Sequence, residues 1–204
     1  MQKGSSLYSD AWAIKLGGSL YNSKYLIEWL EIIKNCSDRR IVIIPGGGPF
    51  ADQVRLADEK YNLKPNYSHD MAILAMQQFG YLLASMSPDL VLANTTKKIN
   101  QAWDASQVVI WEPYEMVRDQ CRLDKTWGVT SDSLAAWLAN VLCIGNLLLI
   151  KSSKIVLKTT ELNDLAQSKC LDAGLQDLVN DYQINTHILH KSKTRDLPEL
   201  LSMI

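Results

Sequence analysis

Apolar and polar positions along the first third of the chain predict two consecutive strand–turn–helix units. Ala11-Trp12-Ala13-Ile14-Lys15-Leu16 is a short apolar segment that stops at Gly17-Gly18-Ser19, after which Leu26, Trp29, Leu30 and Ile33 recur at helical spacing. Ile41-Val42-Ile43-Ile44 is a continuous β-branched run of the kind buried on both faces of a parallel sheet. It ends at Pro45-Gly46-Gly47-Gly48-Pro49, and a helix is predicted from Phe50 to about Tyr61. A further helix is expected to start near Ser68, whose hydroxyl can cap it, and to carry Met71, Leu74, Ala75 and Met76 on through Leu83 until Pro88. Strands are expected over Leu90 to Ala93 and Val108 to Trp111, then a strong helix from Thr130 to about Leu142. Leu147 to Ile150 reads as a buried strand that stops at Lys151. The last third offers a helix around Leu171 to Tyr182, a strand at Thr186 to Leu189 and a short helix after Pro198. Alternating strands and helices of this kind argue for an α/β sandwich. No repeat, linker or break in composition divides residues 1–204, so one domain is expected.

Composition narrows the function classes. The 204 residues carry 21 Lys+Arg against 22 Asp+Glu and no run of like charges, which disfavours a nucleic-acid or membrane partner bound through a polybasic surface. Cys36, Cys121, Cys143 and Cys170 are widely spaced with no Cys-x-x-Cys pair, so free thiols in a reducing compartment are expected. The start of the chain lacks the continuous apolar stretch of a signal peptide, and the block from Val141 to Ile150 is interrupted by Gly145 and Asn146; a cytoplasmic, unanchored protein is expected. His187 and His190, three apart on a strand, point to opposite faces, which disfavours a shared metal.

The two glycine turns carry the chemistry. Each exposes backbone N–H groups in front of a helix N-terminus and lets a ligand approach where a Cβ would clash, so each is an anion site in principle. Gly46, Gly48 and Ala51 also satisfy Gly-x-Gly-x-x-Ala, which opens a dinucleotide-binding reading, but the expected acidic strand end about twenty residues on is replaced by Asn66, His69 and Asp70 at a helix start. Neither that reading nor a P-loop explains Lys15, a charge inside an apolar strand that is costly unless paired. Asp132, at the start of the strong helix, offers a partner type, and Lys151 is a second lysine at a strand end. Two lysines and an aspartate beside two glycine turns suit the transfer of a phosphoryl group between anionic partners.

Four segments in order, Lys15-Leu16-Gly17-Gly18-Ser19-Leu20, Pro45 to Asp52, Thr130 to Ala136 and Leu148 to Ser152, resemble the amino-acid kinase superfamily, which includes aspartokinase, acetylglutamate kinase, uridylate kinase and isopentenyl phosphate kinase. The resemblance implies a three-layer αβα sandwich with an open, mainly parallel sheet, and a kinase that uses ATP and Mg2+. It implies that Lys15 neutralises phosphate charge, that Gly17, Gly18, Gly47 and Gly48 hold phosphoryl oxygens, that Lys151 is the lysine on the nucleotide side, and that Asp132 aligns the lysines. Ser19, Thr130, Ser131 and Lys154 are implied on the nucleotide side, with Lys154 as the alternative to Lys151. Gly46, Gly47, Gly48, Asp52 and His69 are implied on the acceptor side, His69 by analogy with the phosphate-contacting histidine of isopentenyl phosphate kinase.

His69-Asp70-Met71-Ala72, Met76 and the run Trp127 to Ser133 are most similar to the small kinase branch linked to methanofuran and tetrahydromethanopterin cofactors, in which an aminomethyl-furan phosphate is the acceptor. One segment departs from that pattern: Lys151-Ser152-Ser153-Lys154 stands where a Val-Asp-Gly-Val type of stretch is usual. The departure keeps a second reading open, a non-catalytic binding, regulatory or storage subunit of the same fold. The resemblance further implies a homodimer or higher homo-oligomer, with a paralogous chain as a conceivable partner, and the apolar helix from Ser68 is the expected interface. The six tryptophans are expected in the core and at interfaces rather than in a ligand cage, although Trp103, Trp111 and Trp127 come from the acceptor half, where one of them could stack on a ring.

Overall fold

The computed structural model describes residues 8–120, 129–158, 162–168, 170–172 and 174–203. Its six described strands are β1 (Tyr8–Leu16), β2 (Arg40–Pro45), β3 (Val91–Ala93), β4 (Val109–Trp111), β5 (Ile144–Lys151) and β6 (Asn185–His190). They form one sheet in the order β3-β4-β2-β1-β5-β6, and every pairing is parallel. The helices are α1 (Tyr25–Lys34), α2 (Gly48–Tyr61), α3 (Pro65–Met86), α4 (Thr96–Asp104), α5 (Pro113–Gln120), α6 (Ser131–Val141), α7 (Leu162–Gln167), α8 (Leu175–Asp181) and α9 (Leu197–Ser202). None of the described helices is long and apolar enough to cross a membrane.

Strand order places the site. The chain leaves β1 toward β2 on one side and returns to β1's other side with β5, so the carboxyl ends of β1, β2 and β5 adjoin at a topological switch point, where open parallel sheets bind ligands. Register aligns those ends: Leu16 lies opposite Pro45 on one side and Ile150 on the other. Along β1 the residues alternate between faces. Trp12, Ile14 and Leu16 pack with α1 residues Trp29, Leu30 and Ile33 and with Leu197 and Leu201 of α9. Ala11 and Ala13 share the other core with Ala135, Ala136 and Ala139 of α6. Small residues on both sides let α6 lie close over β1, and Lys15, next on that face, emerges under the amino end of α6. Helix α6 is accordingly buried from Ser131 to Ala139, as befits a helix that is apolar nearly all round.

The pattern of the chain located these elements well, with three corrections. Helix α3 begins at Pro65, not near Ser68; proline suits a first helical position, and the Ser68 hydroxyl donates to the Pro65 carbonyl from within the first turn. Strand β5 starts at Ile144 and runs through Gly145 and Asn146, because the Asn146 amide reaches across to donate to Ala11 O at 3.3 Å and so is satisfied inside the sheet. The helix expected over Leu171 to Tyr182 is only Leu175–Asp181, since Leu171 and Asp172 are drawn into the site. Trp103 and Trp111 are core residues, as expected: the indole of Trp103 donates to Ile41 O at 3.0 Å, and Trp111 packs on Trp137 with ring centroids 6.0 Å apart. Trp127 and Cys121 lie outside the described residues, and Cys36, Cys143 and Cys170 form no disulfide among the described residues. His187 leans on the Trp12 ring at 5.3 Å, and His190 shares a 2.8 Å hydrogen bond with Ser192.

Candidate active site

The first two turns interlock. An added Cβ on Gly18 would lie 2.2 Å from the backbone nitrogen of Gly48, and one on Gly46 would lie 2.3 Å from that of Gly18. Glycine is therefore required by backbone-to-backbone approach at both positions, and Gly48, at φ +55°, is left-handed as well. The Gly46 N–H donates to Leu16 O at 2.8 Å, which ties the second turn to the end of β1. Ser19 donates to the Ser152 hydroxyl at 2.9 Å and ties the first turn to the residue after β5. Gly18→Ala is expected to force the turns apart. The variant should melt earlier, by about 1–3 kcal/mol of stability or more, and should bind Mg·ATP at least about tenfold more weakly by calorimetry.

Behind the turns lies a buried charge cluster. Lys15 Nζ is 2.8 Å from Asp132 Oδ1, and Lys151 Nζ donates to Asp132 Oδ2, so one carboxylate bridges lysines from the ends of β1 and β5. The three side chains expose only 7%, 3% and 11% of their surface, respectively for Lys15, Asp132 and Lys151. Lys151 also donates to the carbonyl of Cys170 at 2.8 Å. Burial acts to raise the Asp132 carboxyl, but the charges of Lys15 and Lys151 and their hydrogen bonds outweigh it and hold the group below the ordinary carboxylate range. Burial, and then the charge of Lys15, hold Lys151 below the ordinary lysine range against the opposing pull of Asp132. Two cations on one anion leave a net positive site, unfavourable alone and well matched to a polyphosphate.

Around this cluster runs a polar cleft lined by Lys15, Gly18, Ser19, Gly47, Gly48, Thr130, Ser131, Asp132 and Lys151. It continues, through Gly47, Ala51, Arg55, Thr130 and Ser131, into a cavity of about 280 Å³ between α2, α3 and the start of α6. There Ala72, Ile73, Met76, Val129 and Leu134 supply an apolar wall, and Ser68, buried His69, Arg55 and Asp58 supply polar atoms. The structure thus brings together Lys15, Gly18, Ser19, Gly47, Gly48, Thr130, Ser131, Asp132 and Lys151 in one cleft, with His69 in its annex. Asp52 stands at the cleft's rim, paired to Arg55 at 2.7 Å. Lys154 is exposed on the turn after β5, so the lysine on Asp132 is Lys151.

Arg55 and Asp172 were not singled out from the sequence. Arg55 has a legible signal, since Ala51, Arg55, Asp58 and Asn62 recur at helical spacing along α2 and all line the annex. Asp172 has none, because its partners lie about forty residues earlier in the chain.

The model of the "Amino acid kinase family" matches residues 10–161 of this chain. The chain belongs to the amino acid kinase family. A "[5-(aminomethyl)furan-3-yl]methyl phosphate kinase" from Methanocaldococcus jannaschii is 25% identical over 199 residues, which span 91% of this chain and 92% of that protein. Two solved structures share the fold of this family member. UMP kinase from Ureaplasma parvum superposes with a TM-score of 0.67 at 16% identity, over 94% of this chain and 95% of that one. UMP kinase from Bacillus anthracis gives a TM-score of 0.69 at 14% identity, over 96% and 93%. The open parallel sheet and the helices that cover it thus agree with the α/β sandwich expected of the family.

Proposed function

We propose that this amino acid kinase family member is an ATP- and Mg2+-dependent kinase of a small phosphorylated (or carboxylated) metabolite, with an aminomethyl-furan phosphate as the favoured acceptor. The observation that carries the reading is the buried Lys15–Asp132–Lys151 cluster at the interlocked glycine turns, opening into an annex with an apolar wall and a few polar groups. Lys15 and the N–H groups of Gly17, Gly18, Gly47 and Gly48 hold phosphoryl oxygens, and Lys151, rather than the exposed Lys154, stands on the nucleotide side with Ser19, Thr130 and Ser131. Mg2+, when bound with ATP, would offset phosphate charge. Asp52 and His69 serve the acceptor, Gly46 does so only through the interlock of the turns, and the acceptor's ring lies on the wall formed by Ile73, Met76 and Leu134. The acceptor's phosphate oxygen attacks the γ-phosphorus as the bond to ADP breaks and ADP leaves with the electron pair. A phosphate already ionised needs no general base, so position and fixed positive potential are what the protein supplies.

The furan preference draws on the Methanocaldococcus relative and on the match between an apolar wall and a small ring. Phosphorus NMR of the protein with Mg·ATP and aminomethyl-furan phosphate tests it. ADP and a new diphosphate are expected, whereas binding of ATP without turnover on any phosphate or carboxylate acceptor favours the non-catalytic reading, which rests on the Lys151-Ser152-Ser153-Lys154 departure. His69→Ala is expected to raise the KM of the acceptor about tenfold or more and to leave that of ATP within about threefold; equal changes in both would remove His69 from the acceptor side.

Residues 1–204 are read as one domain of a cytoplasmic protein. Tyr67, Met71, Leu74 and Tyr81 form an exposed apolar stripe along α3, which supports a homodimer or higher homo-oligomer built across that helix.

A further inference from the structure

Asp172 is 9% exposed and lies in no regular element, between α7 and α8. Its carboxylate nevertheless accepts four hydrogen bonds. Oδ2 accepts from the Thr130 N–H at 3.0 Å, the Ser133 N–H at 3.0 Å and the Ser133 hydroxyl at 2.8 Å, and Oδ1 accepts from the Thr130 hydroxyl at 2.6 Å. Thr130 caps α6, so these donors are the free amino end of the helix that carries Asp132. An anion there also meets the positive pole of the helix. Two residues earlier, the carbonyl of Cys170 accepts from Lys151. One short stretch of chain therefore grips both the helix that presents Asp132 and the lysine that Asp132 must reach.

We propose that Asp172 is a positioning residue: by occupying the amino end of α6 it fixes the rotation and height of that helix, so that the Asp132 carboxylate spans Lys15 and Lys151. The same contact takes up the Thr130 and Ser133 N–H groups with a protein carboxylate. Asp172 touches neither lysine and acts through Asp132 and the Cys170 carbonyl. The inference extends the kinase reading, but its geometric core does not depend on turnover.

The test compares wild type with Asp172→Ala, Asp172→Asn and Leu178→Ala, the last truncating a half-buried side chain on α8 away from the cluster. The first readout is the proton–nitrogen NMR spectrum of the lysine ammonium groups. Wild type should show slowly exchanging signals for Lys15 and Lys151, as buried and ion-paired cations do. In Asp172→Ala the Lys151 signal should shift and broaden by fast exchange, and less so in Asp172→Asn, which keeps the shape with one acceptor oxygen fewer. Leu178→Ala should melt earlier yet keep both signals. The second readout is turnover, where Asp172→Ala should lower kcat about 10- to 100-fold with both KM values within about threefold, and Leu178→Ala should not. If Asp172→Ala does not fold, Asp172→Asn decides. Lysine signals in the folded Asp172 variants that match wild type in position and exchange would overturn the proposal. A wild-type protein that shows the signals but no turnover would overturn the kinase reading alone.

Discussion

Lys15→Ala is expected to reduce phosphoryl transfer by on the order of 10³-fold while leaving the fold in place. Lys15 is the buried cation closest to the first glycine turn: an added Cβ on Gly17 would lie 3.6 Å from its Nζ. A fixed positive charge in a water-poor site stabilises the charge that spreads over the transferring group, and Lys151 cannot replace it, because it is already held by Asp132 and the Cys170 carbonyl. Stability should change little. Removing Lys15 leaves one lysine on one carboxylate, a neutral pair, and relieves the repulsion between two buried ammonium groups. ADP release in a coupled assay, with a thermal melt on the same preparation, checks both halves. A variant that keeps turnover within about tenfold would remove Lys15 from the reaction.

Asp132→Asn is expected to do the reverse: it should damage the fold as well as activity. Two buried ammonium groups would face each other across a neutral amide, and breaking a buried pair of this kind costs about 3–5 kcal/mol. The loss depends on pH in a defined direction. Asp132 has a lowered pKa in the folded state, so its stabilising contribution is fully present above its ordinary value of 3.8 and is lost as pH falls through the lowered folded value. Wild type and variant should therefore converge in acid. At the alkaline end Lys151, held below its ordinary 10.5, binds protons less tightly folded than unfolded, so stability rises with pH between the folded value and 10.5. Without Asp132 that folded value falls further and the rise grows, so the gap should narrow there too. Urea unfolding across this range measures the gap, and a constant difference at every pH would contradict the charge account.

Local rules made much of this site legible. Lys15 stands out as a charge in an apolar strand, the glycine turns as interruptions between strand and helix, and Asp132 as an acidic residue in the first turn of a strong helix; the fold places all three on one cleft. Strand ends converge at the switch point of a parallel sheet, so residues far apart in sequence could be grouped from topology alone. The choice between Lys151 and Lys154 needed the backbone, because the chain turns immediately after β5 and carries Lys154 into solvent.

Other features depend on contacts that leave no periodic trace. Asp172 sits in a stretch that reads as helix by pattern, yet the free amino end of α6 captures its carboxylate, and α8 begins three residues later. Gly145 and Asn146 read as an interruption, and only the buried amide bond to Ala11 O shows why they belong to β5. In each case a long-range partner overrides the local signal.

Calorimetric titration with Mg2+ and a non-hydrolysable ATP analogue, on wild type and Lys15→Ala, tests most directly whether the lysine–aspartate–lysine cluster and the glycine turns form a nucleotide phosphate site. The account expects micromolar binding by the wild type that Lys15→Ala weakens at least about tenfold. No heat of binding by the wild type at millimolar nucleotide would contradict it.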